Sequence, residues 1–129
     1  MTQINCFCIN SYFQFENLIQ YKKNKRKALI IHIRNNLVEG FGIEWLSSLI
    51  QLINKNYKNY NIKFYVDTGN NYGLSILIMK ENIHFLKLKA NNIIMRKINQ
   101  IAKKNKVLLN PSFNIVNVSK IKNYEKLKL

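Results

Sequence analysis

The densest run of chemistry-bearing residues is Asp67-Thr68-Gly69-Asn70-Asn71-Tyr72-Gly73, and Asp67 is the one aspartate of the chain. The run follows Ile62-Lys63-Phe64-Tyr65-Val66, which reads as a strand. It precedes Leu74, Leu77 and Ile78 at helical spacing. A carboxylate and two glycines between a strand and a helix suit two roles. Glycines let a phosphate or ribose approach the backbone N–H groups at the helix start. Equally, Asp67 and Asn70 can cap the helix while Gly69 and Gly73 meet backbone constraints. Other chemistry is sparse. His32 and His84 lie inside apolar runs and read as packed imidazoles, with His32 close enough to its strand end to reach a rim. No nucleophile is paired with a base. Cys6 and Cys8 fall two apart in Ile4-Asn5-Cys6-Phe7-Cys8-Ile9. On a strand they share a face at roughly 6.5 to 7 Å between Cα atoms, at or beyond bridging range. Neither histidine is spaced to complete a metal set with them. No catalytic residue, metal or cofactor is expected, and the two thiols read as small buried apolar groups of a reducing cytosol.

The elements that position these residues alternate. Strands are expected near 4–9, 28–33, 61–67, 83–89 and 107–109, and helices near 12–23, 43–57, 72–81 and 91–104. Residues 34–42, with Gly40 and Gly42, read as a loop. Such alternation requires right-handed crossovers and predicts a mainly parallel sheet of about five strands. The expected fold is one three-layer α/β domain over residues 1–118, in flavodoxin-like or half-barrel order. Phe113, Ile115, Val116 and Val118 can dock near its end, and residues 119–129 form a basic tail expected to fray. Ligands of open parallel sheets bind at the carboxyl ends of the strands. That edge gathers Asp67, Gly69, Asn70, Asn71, Gly73, Arg34 and Asn35, the candidate ligand set.

Charge offers a second reading. The chain of 129 residues holds 21 Lys and Arg against 6 Asp and Glu, a formal net charge of +15. Lys22, Lys23, Lys25, Arg26 and Lys27 form one basic run. Lys55 and Lys58, beside Tyr57 and Tyr60, make a second cluster. These are the candidate contacts to nucleic acid or another polyanion. A bland cause competes: Asn, Lys, Ile and Tyr, the residues of the most AT-rich codons, make up half of the chain, and only Arg26, Arg34 and Arg96 are arginines. Lysine meets phosphate as a point charge and reads no base edge, so any nucleic-acid contact is expected to be weak and independent of sequence. No apolar run approaches the roughly 18 to 20 residues of a membrane span. The first ten residues lack the basic start and small-residue cleavage site of a secretory leader, so a cytoplasmic location is expected. A homodimer is the other expected partner.

Two resemblances extend this reading. Asp67, Gly69, Asn71 and Gly73 resemble the D-x-G-x-N-x-G motif of one class of S-adenosylmethionine-dependent methyltransferases. That resemblance implies a cofactor laid along the glycines, although the next strand ends in Lys87-Leu88-Lys89 where an acid would hold the ribose. Over residues 28–110 the chain resembles a group of small alpha-proteobacterial α/β proteins of unassigned function. The resemblance rests on Ala28 to Ile33, Gly40-Phe41-Gly42-Ile43-Glu44-Trp45-Leu46, Val66-Asp67-Thr68-Gly69 and Ile101-Ala102, and it implies the fold alone. The leading expectation is a non-catalytic binding or interaction module. The alternatives are a polyanion- or RNA-associated basic protein and a degenerate S-adenosylmethionine- or nucleotide-binding enzyme.

Overall fold

A computed structural model describes residues 4–127 and Leu129. Residues 1–3 of the expected domain and Lys128 of the expected tail lie outside the described residues. The strands are β1 (Asn5–Cys8), β2 (Leu29–Ile33), β3 (Ile62–Asp67), β4 (Phe85–Lys87), β5 (Leu108–Leu109) and β6 (Asn114–Asn117). The helices are α1 (Tyr12–Ile19), α2 (Asn35–Phe41), α3 (Ile43–Asn56), α4 (Tyr72–Ile78) and α5 (Asn92–Lys104). All six strands pair in parallel in one sheet of order β5-β4-β3-β2-β1-β6. The α/β class and the parallel sheet are those the sequence predicts. Of the two orders expected, β1 to β5 follow the consecutive half-barrel one.

Consecutive order has a packing consequence. Right-handed crossovers that all advance in one direction lay every helix on the same sheet face. The main core accordingly joins Phe7, Ile31, Ile33, Phe64, Val66 and Leu86 of the strands to Phe15 and Leu18 of α1, Ile50 and Ile53 of α3, Ile78 of α4 and Ile98 of α5. The alternate strand residues face the other way, and Cys6, Ile30 and Tyr65 form a second small core with Phe85 and Phe113. The layer over that face is no second set of helices but the β5–β6 connection, which carries Phe113.

That connection also proves that the sheet is curled. Leu109 and Asn114 end and begin strands at opposite edges. Five residue steps reach at most about 18 Å. Five strand spacings in a flat sheet would need about 24 Å sideways. The edges must therefore curve toward each other, with the second core inside the curve. Phe113 spans it, its ring 4.8 Å from that of Phe85 and 5.7 Å from that of Tyr65, both edge-on. Edge-to-face geometry of this kind is favourable beyond the area buried.

Three features differ from the sequence reading. Residues 35–41, read as a loop, form α2. Val38 buries the inner face of that helix, and Gly42 at φ 91° ends it, a backbone state that glycine adopts without strain. The sheet gains β6, because Ile115 and Val116 have the free edge of β1 beside them. The terminal segment expected to fray is tied back. Ser119 Oγ accepts hydrogen bonds from Gln14 Nε2 at 2.8 Å and Asn10 Nδ2 at 3.2 Å, and the ring of Tyr124 stacks on that of Tyr21 at 5.3 Å. Ile121, Tyr124 and Leu127, each half-buried, also pack against the main core. No helix among the described residues is long and apolar enough to cross a membrane.

Candidate functional site

A cleft of about 840 Å³ opens at the carboxyl edge between the ends of β3 and β4, the start of α5 and the β5–β6 connection. Strand alternation builds its walls. Tyr65 and Asp67 fall on the inner face of β3, and Lys87 pairs in register with Asp67 on β4. Two residues on, Lys89 returns to the same side, while Leu88 between them is buried toward the helices. Phe113, Ile115 and Met95 supply an apolar wall, and Asn110 and Asn70 a polar lip.

Beyond the last paired residues the loops keep the strands aligned. Thr68 N–H donates to Lys87 O at 2.9 Å, and Lys89 N–H donates to Gly69 O at 2.8 Å. Thr68 is buried, with Oγ1 2.7 Å from Ser75 Oγ and 3.0 Å from Lys87 O. On the other flank Asn110, at φ 50°, uses its side chain as a strand would. It accepts from Leu88 N–H at 2.9 Å and donates to Leu88 O at 3.1 Å.

The candidate ligand set divides. Asp67, Gly69 and Asn70 line the cleft. Asp67 Oδ1 accepts from Gly69 N–H at 2.8 Å, which closes the turn. Asn71, not Asn70, caps α4, accepting from Leu74 N–H at 3.0 Å. Gly73 sits in the first turn of α4, where a Cβ would make only an ordinary contact with Asn71 Oδ1 at 3.9 Å. Gly69 has φ 61°, and the Asn35 amide nitrogen lies 2.9 Å from where its Cβ would stand, so both conformation and space require glycine. Asn35 and Arg34 are thus neighbours of the cleft rather than its lining. Arg34 donates to Asn10 Oδ1, while Arg34 Nε and Asn35 Oδ1 are buried without a hydrogen-bond partner among the described residues.

Beneath the lip lies His32, which is buried. Its Nδ1 is 3.0 Å from Tyr65 O, and burial pulls its pKa below the ordinary histidine value. The hydrogen bond to Tyr65 and the charge of Asp67 oppose that shift, while Lys87 and Arg34 reinforce it. Tyr65 and Cys6 are each raised to about 12, chiefly by burial, and Cys8 is raised for the same reason. At neutral pH the floor is therefore uncharged and the thiols are poor nucleophiles. Both cysteines are free, and no group of three His, Cys, Asp or Glu among the described residues is placed to hold a metal ion.

The sequence reading missed Lys87 and Lys89 as site residues, and Phe113 and Tyr65 as their floor. The signal available was the alternation of Lys87-Leu88-Lys89 at a carboxyl strand end, which puts both cations on one side. Phe113 gave none, because its contacts depend on the curl of the sheet.

The basic set lies at the opposite edge. Lys23, Lys25, Arg26 and Lys27, in the α1–β2 connection, are exposed, as are Lys55 and Lys58 at the end of α3. Lys22 leaves the set: it is buried, its Nζ has no hydrogen-bond partner among the described residues, and desolvation lowers its pKa.

The strand order and the cleft at the carboxyl edge define a single-sheet parallel α/β half-barrel. No family model matches the chain, and no curated protein matches it.

Proposed function

We propose that the protein is a binding module that holds a small anionic ligand with a flat apolar body in the carboxyl-edge cleft. The observation that carries this reading is the register pair Asp67 and Lys87 standing above an aromatic floor, with Lys89 beside it. Two ammonium groups favour a carboxylate or phosphate. The N-terminal end of α5, capped by Asn91, adds its dipole in the same sense. Asp67 can accept a ligand hydroxyl or amine, and Phe113 with Ile115 offers the flat surface. The volume lies within the range of small-molecule sites. His32 supports binding over catalysis, since its Nδ1 is engaged by Tyr65 O and burial keeps the ring neutral.

A thermal-shift series with adenosine monophosphate, S-adenosylmethionine and aromatic carboxylates tests the reading. Occupancy at a hundred times the dissociation constant stabilises by about 2.7 kcal/mol. The expected result is stabilisation by at least one anionic probe, lost in Lys87→Gln and in Asp67→Asn. Both variants should keep the apo stability to within about 1 kcal/mol, the scale of a cap. Absence of any shift across the series, or a shift that survives both substitutions, overturns it.

A further inference from the structure

The amino edge of the half-barrel carries a different surface. Every helix-to-strand connection falls there, because each helix descends from the carboxyl edge. These connections concentrate cations. The α1–β2 connection brings Lys23, Lys25, Arg26 and Lys27. The end of α3 and its connection bring Lys55 and Lys58, and the end of α5 brings Lys103, Lys104 and Lys106. Glu81 is the one carboxylate in the four connections. Drift in base composition would scatter lysine over every surface, yet α1, α2 and α4 contain no Lys or Arg at all. Complementing helix dipoles does not account for the main run either. α1 has no basic residue in its last turn, and its cations follow beyond it.

Two of these connections are locked side by side. Asn61 N–H donates to Lys25 O at 2.9 Å, and Asn61 Nδ2 donates to Arg26 O at 3.1 Å. Lys25 Nζ sits 5.1 Å from the centre of the Tyr60 ring, a cation–π contact. Beside this pair runs a groove of about 380 Å³ between α1 and the end of α3, lined by Phe13, Tyr57, Tyr60, Glu16 and Gln20. Phe13 is 68% exposed at its rim, an unusual position for a phenylalanine ring. Tyr60 in turn meets Tyr57 edge-on at 5.6 Å.

We infer that this edge binds single-stranded nucleic acid, its phosphates on the lysine-rich connections and a base stacked on Phe13 in the aromatic groove. Cations that track a backbone beside exposed aromatic rings are the two components of sequence-tolerant single-strand binding. The aromatic groove favours this partner over duplex or an anionic membrane, neither of which offers an unstacked base. Glu16 in the groove admits one base face rather than a phosphate. This surface shares no lining residue with the carboxyl-edge cleft, so its test is independent of that reading.

Fluorescence anisotropy with labelled oligo(U) and oligo(dT) 12-mers, alongside a mixed-sequence duplex, measures the contact. Five neutralised phosphates on a single strand predict about a hundredfold loss of affinity between 50 and 200 mM salt. Arg26→Glu with Lys58→Glu is expected to weaken binding at least tenfold at low salt. Phe13→Ala, at an exposed position, is expected to weaken it about fivefold or more, the scale of one stacked base. Thermal melts of the variants confirm that folding is intact. No binding at 50 mM salt, duplex bound as tightly as single strand, or full affinity in Phe13→Ala overturns the inference. So does binding to anionic vesicles without binding to either oligomer.

Discussion

At the scale of residues, the two histidines make stability depend on pH in a defined direction. Phe64 N–H donates to His84 Nδ1 at 3.1 Å, so the folded state requires that nitrogen unprotonated. Burial, the larger cause, and Lys63 lower the His84 pKa, and burial lowers that of His32. Below the unfolded value of 6.5 the unfolded chain binds protons that the folded chain resists. Stability therefore falls as pH drops through the window beneath 6.5 and is constant with respect to these groups above it. Melting temperature measured from pH 8 to pH 5 should decline below about pH 6.5. His84→Gln, whose amide oxygen can accept from Phe64, should flatten part of that decline. A melting curve unchanged to pH 5 would show that neither ring is held neutral. The cysteines belong to the same scale: burial raises both thiol pKa values.

At the scale of elements, the β5–β6 connection is the least regular segment and one of the most consequential. Phe113 holds it across the inner face, in edge-on contact with Phe85 and Tyr65. The ring is half-buried, so Phe113→Ala should cost less than a fully buried phenylalanine, about 2 kcal/mol. In a chain of this length that lowers the melting temperature by roughly 8 °C. Phe113→Leu should recover about half of the loss in a chemical-denaturation experiment. The same substitution tests the cleft, since Phe113 is part of its wall. α2 makes the complementary point. Leu37 and Val38 gave too short an apolar pattern to separate a helix from a loop, and packing against the core settles it.

At the scale of the whole molecule, the curl of the sheet follows from the reach of one connection. Deleting Pro111 and Ser112 leaves three residue steps, at most about 11 Å, between Leu109 and Asn114. The deleted chain is expected to release β6 from β1 and to expose Val118, which is buried. Amide hydrogen exchange would report this as loss of protection at Asn114 to Asn117. Insertion of four Gly or Ser residues at the same place should be far milder, because loop entropy grows only slowly with length. Equal damage from deletion and insertion would contradict a length-limited closure. The same architecture separates the molecule into two poles, with the cleft at the carboxyl edge and lysine-rich connections at the amino edge.

The sequence by itself determined the alternation of elements, the parallel sheet and the placing of Asp67 and Gly69 at its carboxyl edge. Those features rest on apolar periodicity and turn chemistry, which are local. Helix and strand ends shifted by a few residues, and α1 stopped at Ile19 rather than near 23. Tertiary structure alone decided that Asn35 packs on Gly69, that Lys87 stands opposite Asp67, and that Lys22 is buried while its neighbours are exposed. It also decided that Phe113 floors the cleft and that Lys25 and Arg26 lie beside the connection that follows α3. Each of these depends on strand order and curvature. Residues far apart in the chain meet only after every crossover has taken the same hand, and no local pattern encodes where a closed path of that kind returns.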